Sequence, residues 1–318
     1  MSYHPRQDHP DRASFMTSRT RNSELWLANN ERVEKFTLGL LAKLSERYNP
    51  DIYGFAIEGN HLHTLARFPH LNRADFMRDL NSGVACSVKR YTRNYPGGGL
   101  WARRFSAEVV PAAEDIERQF FYTALQPVKD GLVSKLSEYP FYNCFHDAAC
   151  GIKRKIKYLD TAAYNAALRH NPNTPKKDYI TEYTLEYKRL PGYEHLSQKE
   201  YKDMMYKKLE IHRQEILAER ARQGKTGFVG REALLKMTPG APAKNSKSSH
   251  RYSHRPRVLC VCPERRAYFK SIYFSNYFRY KEASKRFLAG EIDVEFPPNM
   301  YRPPSWMVPK PAGPYSVL

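Results

Sequence analysis

Two short segments of strand-like composition, 52–58 (IYGFAIE) and 61–68 (HLHTLARF), are separated only by Gly59 and Asn60. A two-residue connection of this kind is typical of a tight β-hairpin, in which the strands run antiparallel and side chains alternate between two faces. Both segments carry apolar side chains, so both need packed neighbours. The hairpin therefore predicts an antiparallel sheet that contains these two strands.

Further strand and helix patterns flank the hairpin in a regular order. We predict strands at 14–20 and 100–110 and helices at 30–47, 73–94 and 113–126. The last helix is expected to end before Pro127, because proline cannot donate the backbone hydrogen bond that a helix interior requires. The resulting order, β-α-β-β-α-β-α, predicts an α+β fold: a ferredoxin-like or RRM-like antiparallel sheet of about four strands with helices on one face.

The balance of charge indicates the kind of partner. The 318 residues include 52 Lys and Arg against 33 Asp and Glu, a formal net charge of +19, together with 23 Tyr, 16 Phe and 3 Trp. Cations pair with phosphates and aromatic rings stack on unpaired bases, so nucleic acid is the expected partner. The alternative is a basic surface that serves solubility alone.

No apolar run approaches the ~18 residues of a membrane span, and the polar N-terminus lacks the apolar segment of a signal peptide. We therefore expect a cytoplasmic protein without membrane contact. Five cysteines at irregular spacing indicate reduced thiols rather than disulfides or a zinc site.

Composition also predicts how the chain is divided. Residues 1–150 form the first predicted domain, and 151–235 are expected to be mostly helical. Residues 236–257 contain six Lys or Arg and no acid, which is typical of a flexible basic linker. Residues 258–318 are expected to form a C-terminal helix followed by a Pro-rich tail.

His61 and His63 are two residues apart in the second strand of the predicted hairpin. Alternation places both imidazoles on the same face, roughly 7 Å apart at Cβ, which is close enough for both to bind one divalent ion. Glu58, at the end of the first strand, can help to position the pair. The alternative interpretation is two polar residues on an exposed strand face.

The helix predicted over 113–126 places Arg118, Tyr122 and Gln126 in one row at a spacing of four, apart from its apolar stripe. The Tyr122 hydroxyl is a candidate nucleophile and the Gln126 amide oxygen a candidate third metal ligand. Tyr91 and Tyr95 are rival nucleophiles. Tyr91 continues an apolar stripe, which favours a core position, and Tyr95 can stack on a base.

Several cations near these motifs are candidate contacts to DNA phosphates. The alternative for each is an ordinary solvated surface position. The candidates are Arg19, Lys89, Arg90, Arg93, Arg103, Arg104 and Arg118.

Three segments resemble one enzyme family. GNHLHTLARFP resembles the His-hydrophobic-His strand of HUH single-strand endonucleases, and LWARRF resembles the strand that follows the Gly-rich turn in their transposase branch. FFYTALQPVKDGLV resembles the tyrosine helix of the REP-associated tyrosine transposases, the single-strand DNA transposases of the insertion-sequence tyrosine family. Tyr122 stands five residues before Pro127, as in that family, and Gln126 occupies the position that usually holds Asn. The pattern covers roughly residues 14–145.

The resemblance implies an HUH endonuclease fold and metal-dependent cleavage and rejoining of single-stranded DNA at hairpin, REP-like elements through a 5′-phosphotyrosine intermediate. Tyr122 would be the nucleophile, and His61, His63 and Gln126 would bind Mg²⁺ or Mn²⁺. It also implies a bacterial, nucleoid-associated enzyme, with a homodimer left open. The alternatives are an HUH replication initiator or relaxase-like nickase, for whose helicase the chain has no space, and a non-catalytic single-strand nucleic-acid-binding protein.

Overall fold

The computed structural model describes residues 5–243, 258–291, 293–304 and 307–308. The strands are β1 (Ala13–Arg19), β2 (Asp51–Ile57), β3 (His61–Arg67), β4 (Ser106–Val110), β5 (Arg154–Leu159) and β6 (Ile180–Leu185). The helices are α1 (Glu31–Tyr48), α2 (Arg73–Tyr91), α3 (Ala113–Lys129), α4 (Phe145–Cys150), α5 (Thr161–His170), α6 (Gln198–Arg222), α7 (Arg231–Leu235) and α8 (Pro263–Leu288). Among the described residues, no helix has the length and apolar character needed to cross a bilayer.

Strands β1 to β4 form one antiparallel sheet in the order β2-β3-β1-β4. The hairpin of β2 and β3 is present, and β3 also pairs with β1. In that register Thr17 lies opposite His63 and Arg19 lies opposite His61. The predicted α+β class and the four-stranded antiparallel sheet are confirmed.

Helices cover both faces of this sheet, so the prediction that they lie on one face was wrong. Met16 and Leu62 belong to an apolar cluster with α1 and α2, whereas Phe15 and Leu65 belong to a second cluster with α3. Neighbouring residues of a strand point to opposite faces. Since both faces of β1 and β3 are apolar, each face has to be covered by its own helices.

Helix α3 continues through Pro127 to Lys129, beyond the predicted end at 126. The backbone N–H of Asp130 donates to the carbonyl of Gln126 at 2.9 Å, so helical hydrogen bonding resumes after the proline. Val128 is fully buried and packs in a third apolar cluster with Leu125. This burial offsets the one backbone bond that the proline removes.

Residues 151–235 are predicted to be mostly helical, but they also contain β5 and β6. These two strands pair as a separate two-stranded antiparallel sheet. This sheet packs against α1 through Ile156 and Tyr158, whose ring lies 5.4 Å from that of Phe36. Helix α6 is highly charged and largely exposed, and it packs through Tyr201 and Met205.

Residues 244–257 of the predicted linker lie outside the described residues, as does most of the predicted tail beyond 304. Val258 forms a parallel bridge with Val109 at the free edge of β4, and α8 begins five residues later. Cys260 is buried, and the Cys262 sulfur accepts a hydrogen bond from the Arg265 backbone at the start of α8. The boundaries between the four predicted regions stay a prediction.

Candidate active site

The imidazoles of His61 and His63 project from β3 to the same side of the sheet. Their Nε2 atoms lie 2.9 Å apart. Asn60 Oδ1 lies 2.7 Å from His61 Nδ1, and Thr17 Oγ1 lies 3.1 Å from His63 Nδ1. The Asn60 amide nitrogen donates to the Ser23 carbonyl, which fixes Oδ1 as the atom facing His61. His61 Nδ1 must therefore donate, and its Nε2 is left with a lone pair in the neutral ring.

Both histidines are neutral at neutral pH. Burial, with the charge of Arg19 beside it, lowers the pKa of His63 to about 3. Burial is also the main cause that lowers the pKa of His61, followed by His63 and Arg19. Neutral imidazoles are the form that binds metal ions, and ligating histidines usually donate their other ring N–H to a fixed partner.

Tyr122 meets this pair from α3, on the same face of the sheet. Its ring lies edge-on to that of His63, with the ring centroids 6.0 Å apart. Phe15 contacts both, since it stacks on His63 at 5.1 Å and meets Tyr122 edge-on at 5.8 Å. The structure thus brings the predicted nucleophile together with the two predicted histidine ligands.

Burial raises the pKa of the Tyr122 phenol above its usual value, and the carboxylate of Asp130 raises it further, whereas Arg19 lowers it. The Lys129 ammonium lies 4.6 Å from the centre of the Tyr122 ring. Arg118 is exposed on α3, and Arg19 and Lys129 are the cations that act on the ring.

Gln126 lies one helical turn beyond Tyr122 and is buried. Its Nε2 donates to Asp130 Oδ2 at 2.8 Å, and because only the amide nitrogen can donate to a carboxylate, the position of Oε1 is fixed. That oxygen is buried and has no hydrogen-bond partner among the described residues. A buried acceptor without a protein partner is costly, so a bound water or ion has to satisfy it.

Glu58 supplies a second oxygen of this kind. Its carboxylate Oε2 accepts a hydrogen bond from the Tyr139 hydroxyl at 2.9 Å, and its Oε1 is buried with no partner among the described residues. Its backbone N–H donates to the His61 carbonyl. Burial raises the pKa of the Glu58 carboxyl to about 8.

These groups fit a divalent cation. Two ligands at adjacent corners of an octahedron, each about 2.1 Å from the ion, are about 3.0 Å apart, close to the 2.9 Å that separates the two Nε2 atoms. Within the described ranges, no group of three His, Cys, Asp or Glu side chains is placed to hold a metal ion. A third protein ligand would therefore be an amide oxygen, for which Gln126 is the candidate.

The predicted phosphate contacts are all exposed but lie on different parts of the molecule. Arg19 ends β1 beside the histidines, and its charge acts on both of them. The cations of α2 lie on the helix layer that covers the opposite face of the sheet. Lys89 and Arg90 belong to the last turn of α2, Arg93 follows it, and Arg103 and Arg104 precede β4.

The two rival tyrosines also belong to that opposite layer. Tyr91 packs against Phe36 with ring centroids 6.3 Å apart, and Tyr95 packs against Trp26 at 4.9 Å. The Tyr95 hydroxyl donates to the Gly98 carbonyl. Neither ring lies with the histidines.

Sequence reasoning missed four residues that organise the site: Asn60, Thr17, Lys129 and Asp130. Asn60 directly precedes His61, and Asp130 lies four residues after Gln126, a helical spacing that the predicted end of α3 concealed. Thr17 reaches His63 only through the pairing of β1 with β3, for which the sequence holds no local signal.

Comparisons with known proteins give a weak structural similarity. No protein-family model matches the chain, and no curated protein matches it. Among solved structures, a REP-associated tyrosine transposase bound to a REP hairpin is similar over 46% of this chain and 84% of that chain, with 19% sequence identity and a TM-score of 0.40. A similarity this weak assigns no function, so we infer function from the site residues.

Proposed function

We propose that this chain is a metal-dependent single-strand DNA endonuclease and transposase that cleaves and rejoins DNA at hairpin, REP-like elements. The observation that supports it is the pair of Nε2 atoms of His61 and His63, 2.9 Å apart, beside the ring of Tyr122. The net charge of +19 and the motif resemblance support single-stranded DNA as the substrate. The order β-α-β-β-α-β of the first sheet supports a ferredoxin-like HUH endonuclease fold.

In the proposed reaction the Tyr122 oxygen attacks the phosphorus of one phosphodiester. A bond forms between phosphorus and the phenol oxygen and the bond to the 3′ oxygen breaks. The phenol proton passes to solvent, and the leaving 3′ oxygen takes a proton from solvent. The products are a 5′-phosphotyrosine and a free 3′ hydroxyl. Because the ester keeps the energy of the original diester, a 3′ hydroxyl can reverse the reaction and rejoin DNA without ATP.

The neighbouring side chains have defined tasks in this reaction. Arg19 and Lys129 stabilise the phenolate, which burial disfavours. Asn60 and Thr17 orient the two imidazoles. A divalent cation held by His61, His63 and Gln126 would polarise the scissile phosphate and stabilise charge on the leaving oxygen.

The test uses Tyr122→Phe. With Mn²⁺ and a pool of hairpin oligonucleotides, the wild-type chain is expected to form a covalent DNA adduct that mass spectrometry places on Tyr122. The variant is expected to lose the adduct while binding the same oligonucleotides, because only the hydroxyl is removed. Tyr95→Phe is the matched control and should keep the adduct.

An undiminished adduct in Tyr122→Phe would overturn the assignment of the nucleophile. Wild-type protein that binds DNA without metal and forms no adduct with any hairpin would instead support the non-catalytic binding protein. Loss of the adduct in His61→Ala and His63→Ala, with DNA binding retained, is expected if these imidazoles hold the metal.

A further inference from the structure

Helix α8 presents most of its surface to solvent. Of its 26 residues, all of them described, only Ala283 and Phe287 are buried. Phe278 is 63% exposed and Phe274 is 37% exposed. Exposed phenylalanines contribute little to folding, so two of them on the same side of one helix indicate a binding surface.

These two rings belong to a continuous row on the helix. Lys270, Phe274, Phe278, Lys281 and Lys285 follow one another at spacings of four, four, three and four residues, which places them on one face. All five side chains are exposed. We call this row the α8 stripe.

Each of the two exposed phenylalanine rings packs against a neighbouring tyrosine of the same helix. Phe274 meets Tyr273 edge-on at 5.7 Å and Phe278 meets Tyr277 edge-on at 5.4 Å, while the two tyrosines stack on each other at 6.4 Å. The Tyr273 hydroxyl donates to the Pro5 carbonyl at 2.9 Å, which ties this layer to the first described residues. The phenylalanines are therefore held on an ordered base.

The surface is positively charged. Helix α8 contains seven Lys or Arg and two Glu. Arg265 pairs with Glu114, and Arg286 pairs with Glu291. The stripe itself carries three exposed lysines beside the two exposed rings. The lysines suit a partner with negative charge, and the rings suit a partner with flat groups that can stack.

We infer that the α8 stripe binds single-stranded DNA, with bases stacked on Phe274 and Phe278 and phosphates paired with the three lysines. A helix rises 1.5 Å per residue, so the two rings are about 6 Å apart along the axis, a step that successive unpaired bases can span. A second copy of the chain is disfavoured as the occupant, because it would bring like-charged lysines together.

This inference rests on the proposed function for its substrate, yet it is tested separately. Binding is measured by fluorescence anisotropy without metal, in the Tyr122→Phe background, with a hairpin that carries a single-stranded tail. Phe274→Ala/Phe278→Ala is expected to weaken binding of the tailed hairpin at least about tenfold. Binding of the blunt hairpin should change much less, since its bases are already stacked.

The matched control removes two other exposed apolar side chains. Ile211 on α6 and Leu235 on α7 are 49% and 44% exposed, and Ile211→Ala/Leu235→Ala should leave the affinity unchanged. Equal affinity of the stripe variant and the wild type for the tailed hairpin, at unchanged thermal stability, would overturn the inference. An equal loss in the control would overturn it as well.

The lysines are tested by the dependence of binding on salt. Each phosphate contact on a single strand adds about 0.7 to the slope of log K against log salt concentration, so Lys270→Gln/Lys281→Gln/Lys285→Gln should reduce that slope by about 2. Lys199, Lys202 and Lys207 are exposed on α6, and replacing those three by Gln is the control with equal charge loss. A slope reduced equally by both sets contradicts a specific role for the stripe.

Two further outcomes distinguish a failure of the stripe inference from a failure of the proposed cleavage. If the phenylalanine variant dissociates an oligomer, seen by light scattering, while each chain keeps its affinity for DNA, the stripe is a contact between copies and the inference fails. If the wild-type chain forms no adduct yet the stripe variants bind DNA more weakly, the proposed cleavage fails and the stripe inference stands.

Discussion

Gln126 can present its amide oxygen to a ligand because Asp130 already binds the amide nitrogen. Without that carboxylate the amide could rotate, and its oxygen would no longer point in one direction. Partners of this kind fix the direction of metal ligands, and losing one typically costs about 10–100-fold in metal affinity. The same relation holds for Asn60 and His61 on the strand side of the site.

We therefore expect Asp130→Ala to raise the Mn²⁺ concentration needed for half-maximal adduct formation by about 10–100-fold. Adduct formation should recover at high Mn²⁺, because Tyr122 and both histidines remain. Calorimetric titration of Mn²⁺ into Asp130→Ala/Tyr122→Phe, compared with Tyr122→Phe, measures the same loss without catalysis. Glu114→Ala, which removes an exposed carboxylate from the same helix, is the control. A metal requirement unchanged by Asp130→Ala would contradict the role of Gln126 as a ligand.

At the residue scale, the sequence identifies those site residues that lie a few positions apart on the same strand or helix. His61 and His63 share a face by strand alternation, and Tyr122 and Gln126 share one by helical periodicity. The sequence does not reveal that Thr17 lies against His63, because that contact depends on which residues of β1 and β3 are paired. Register is a property of the assembled sheet.

At the scale of elements, a buried ion pair joins the first described residues to the start of α2. Arg73 is 3% exposed and pairs with Asp8, which is equally buried. Arg73 also donates to the Ser14 hydroxyl of β1 at 2.8 Å. Burial lowers the pKa of Arg73 and raises that of Asp8, so desolvation of both charges opposes their attraction.

Removing one partner of this pair leaves a buried charge without compensation. Asp8→Ala is therefore expected to lower the free energy of unfolding by about 3 kcal/mol, measured by urea denaturation. Asp8→Ala/Arg73→Met should be more stable than Asp8→Ala alone, because no unpaired charge remains. A double variant less stable than Asp8→Ala alone would show that Arg73 stabilises the fold even without its carboxylate partner, through its hydrogen bonds to Ser14 and the Gln7 carbonyl.

The elements themselves are visible in the sequence wherever the pattern is local and supported by a turn or cap. The hairpin is of this kind, and so is α1, whose Asn30 side chain accepts a hydrogen bond from the Val33 backbone. Strands β5 and β6 were missed although Ile156 and Tyr158 alternate with lysines, because some twenty residues, including α5, separate the two strands. A lone two-stranded sheet is marginal in water, and this one depends on packing against α1.

At the scale of the whole molecule, the candidate phosphate contacts fall into separate groups. Arg19 lies on the face of the sheet that holds His61, His63 and Tyr122, and its charge acts on all three. The cations at the end of α2 belong to the helix layer on the opposite face. A cation beside the reacting phosphate stabilises the transition state, whereas a remote cation contributes only to binding.

Single-turnover kinetics of adduct formation should therefore distinguish Arg19 from the cations at the end of α2. Arg19→Gln is expected to lower the rate at saturating DNA by about tenfold or more, because it removes a charge that favours the phenolate. Lys89→Gln/Arg90→Gln/Arg93→Gln should leave that rate unchanged and raise the DNA concentration that gives half of it, with a weaker dependence on salt. A lower saturating rate in the α2 variant would contradict the assignment of those cations to binding alone. Unchanged binding and an unchanged rate would instead mean that the end of α2 is an ordinary solvated surface.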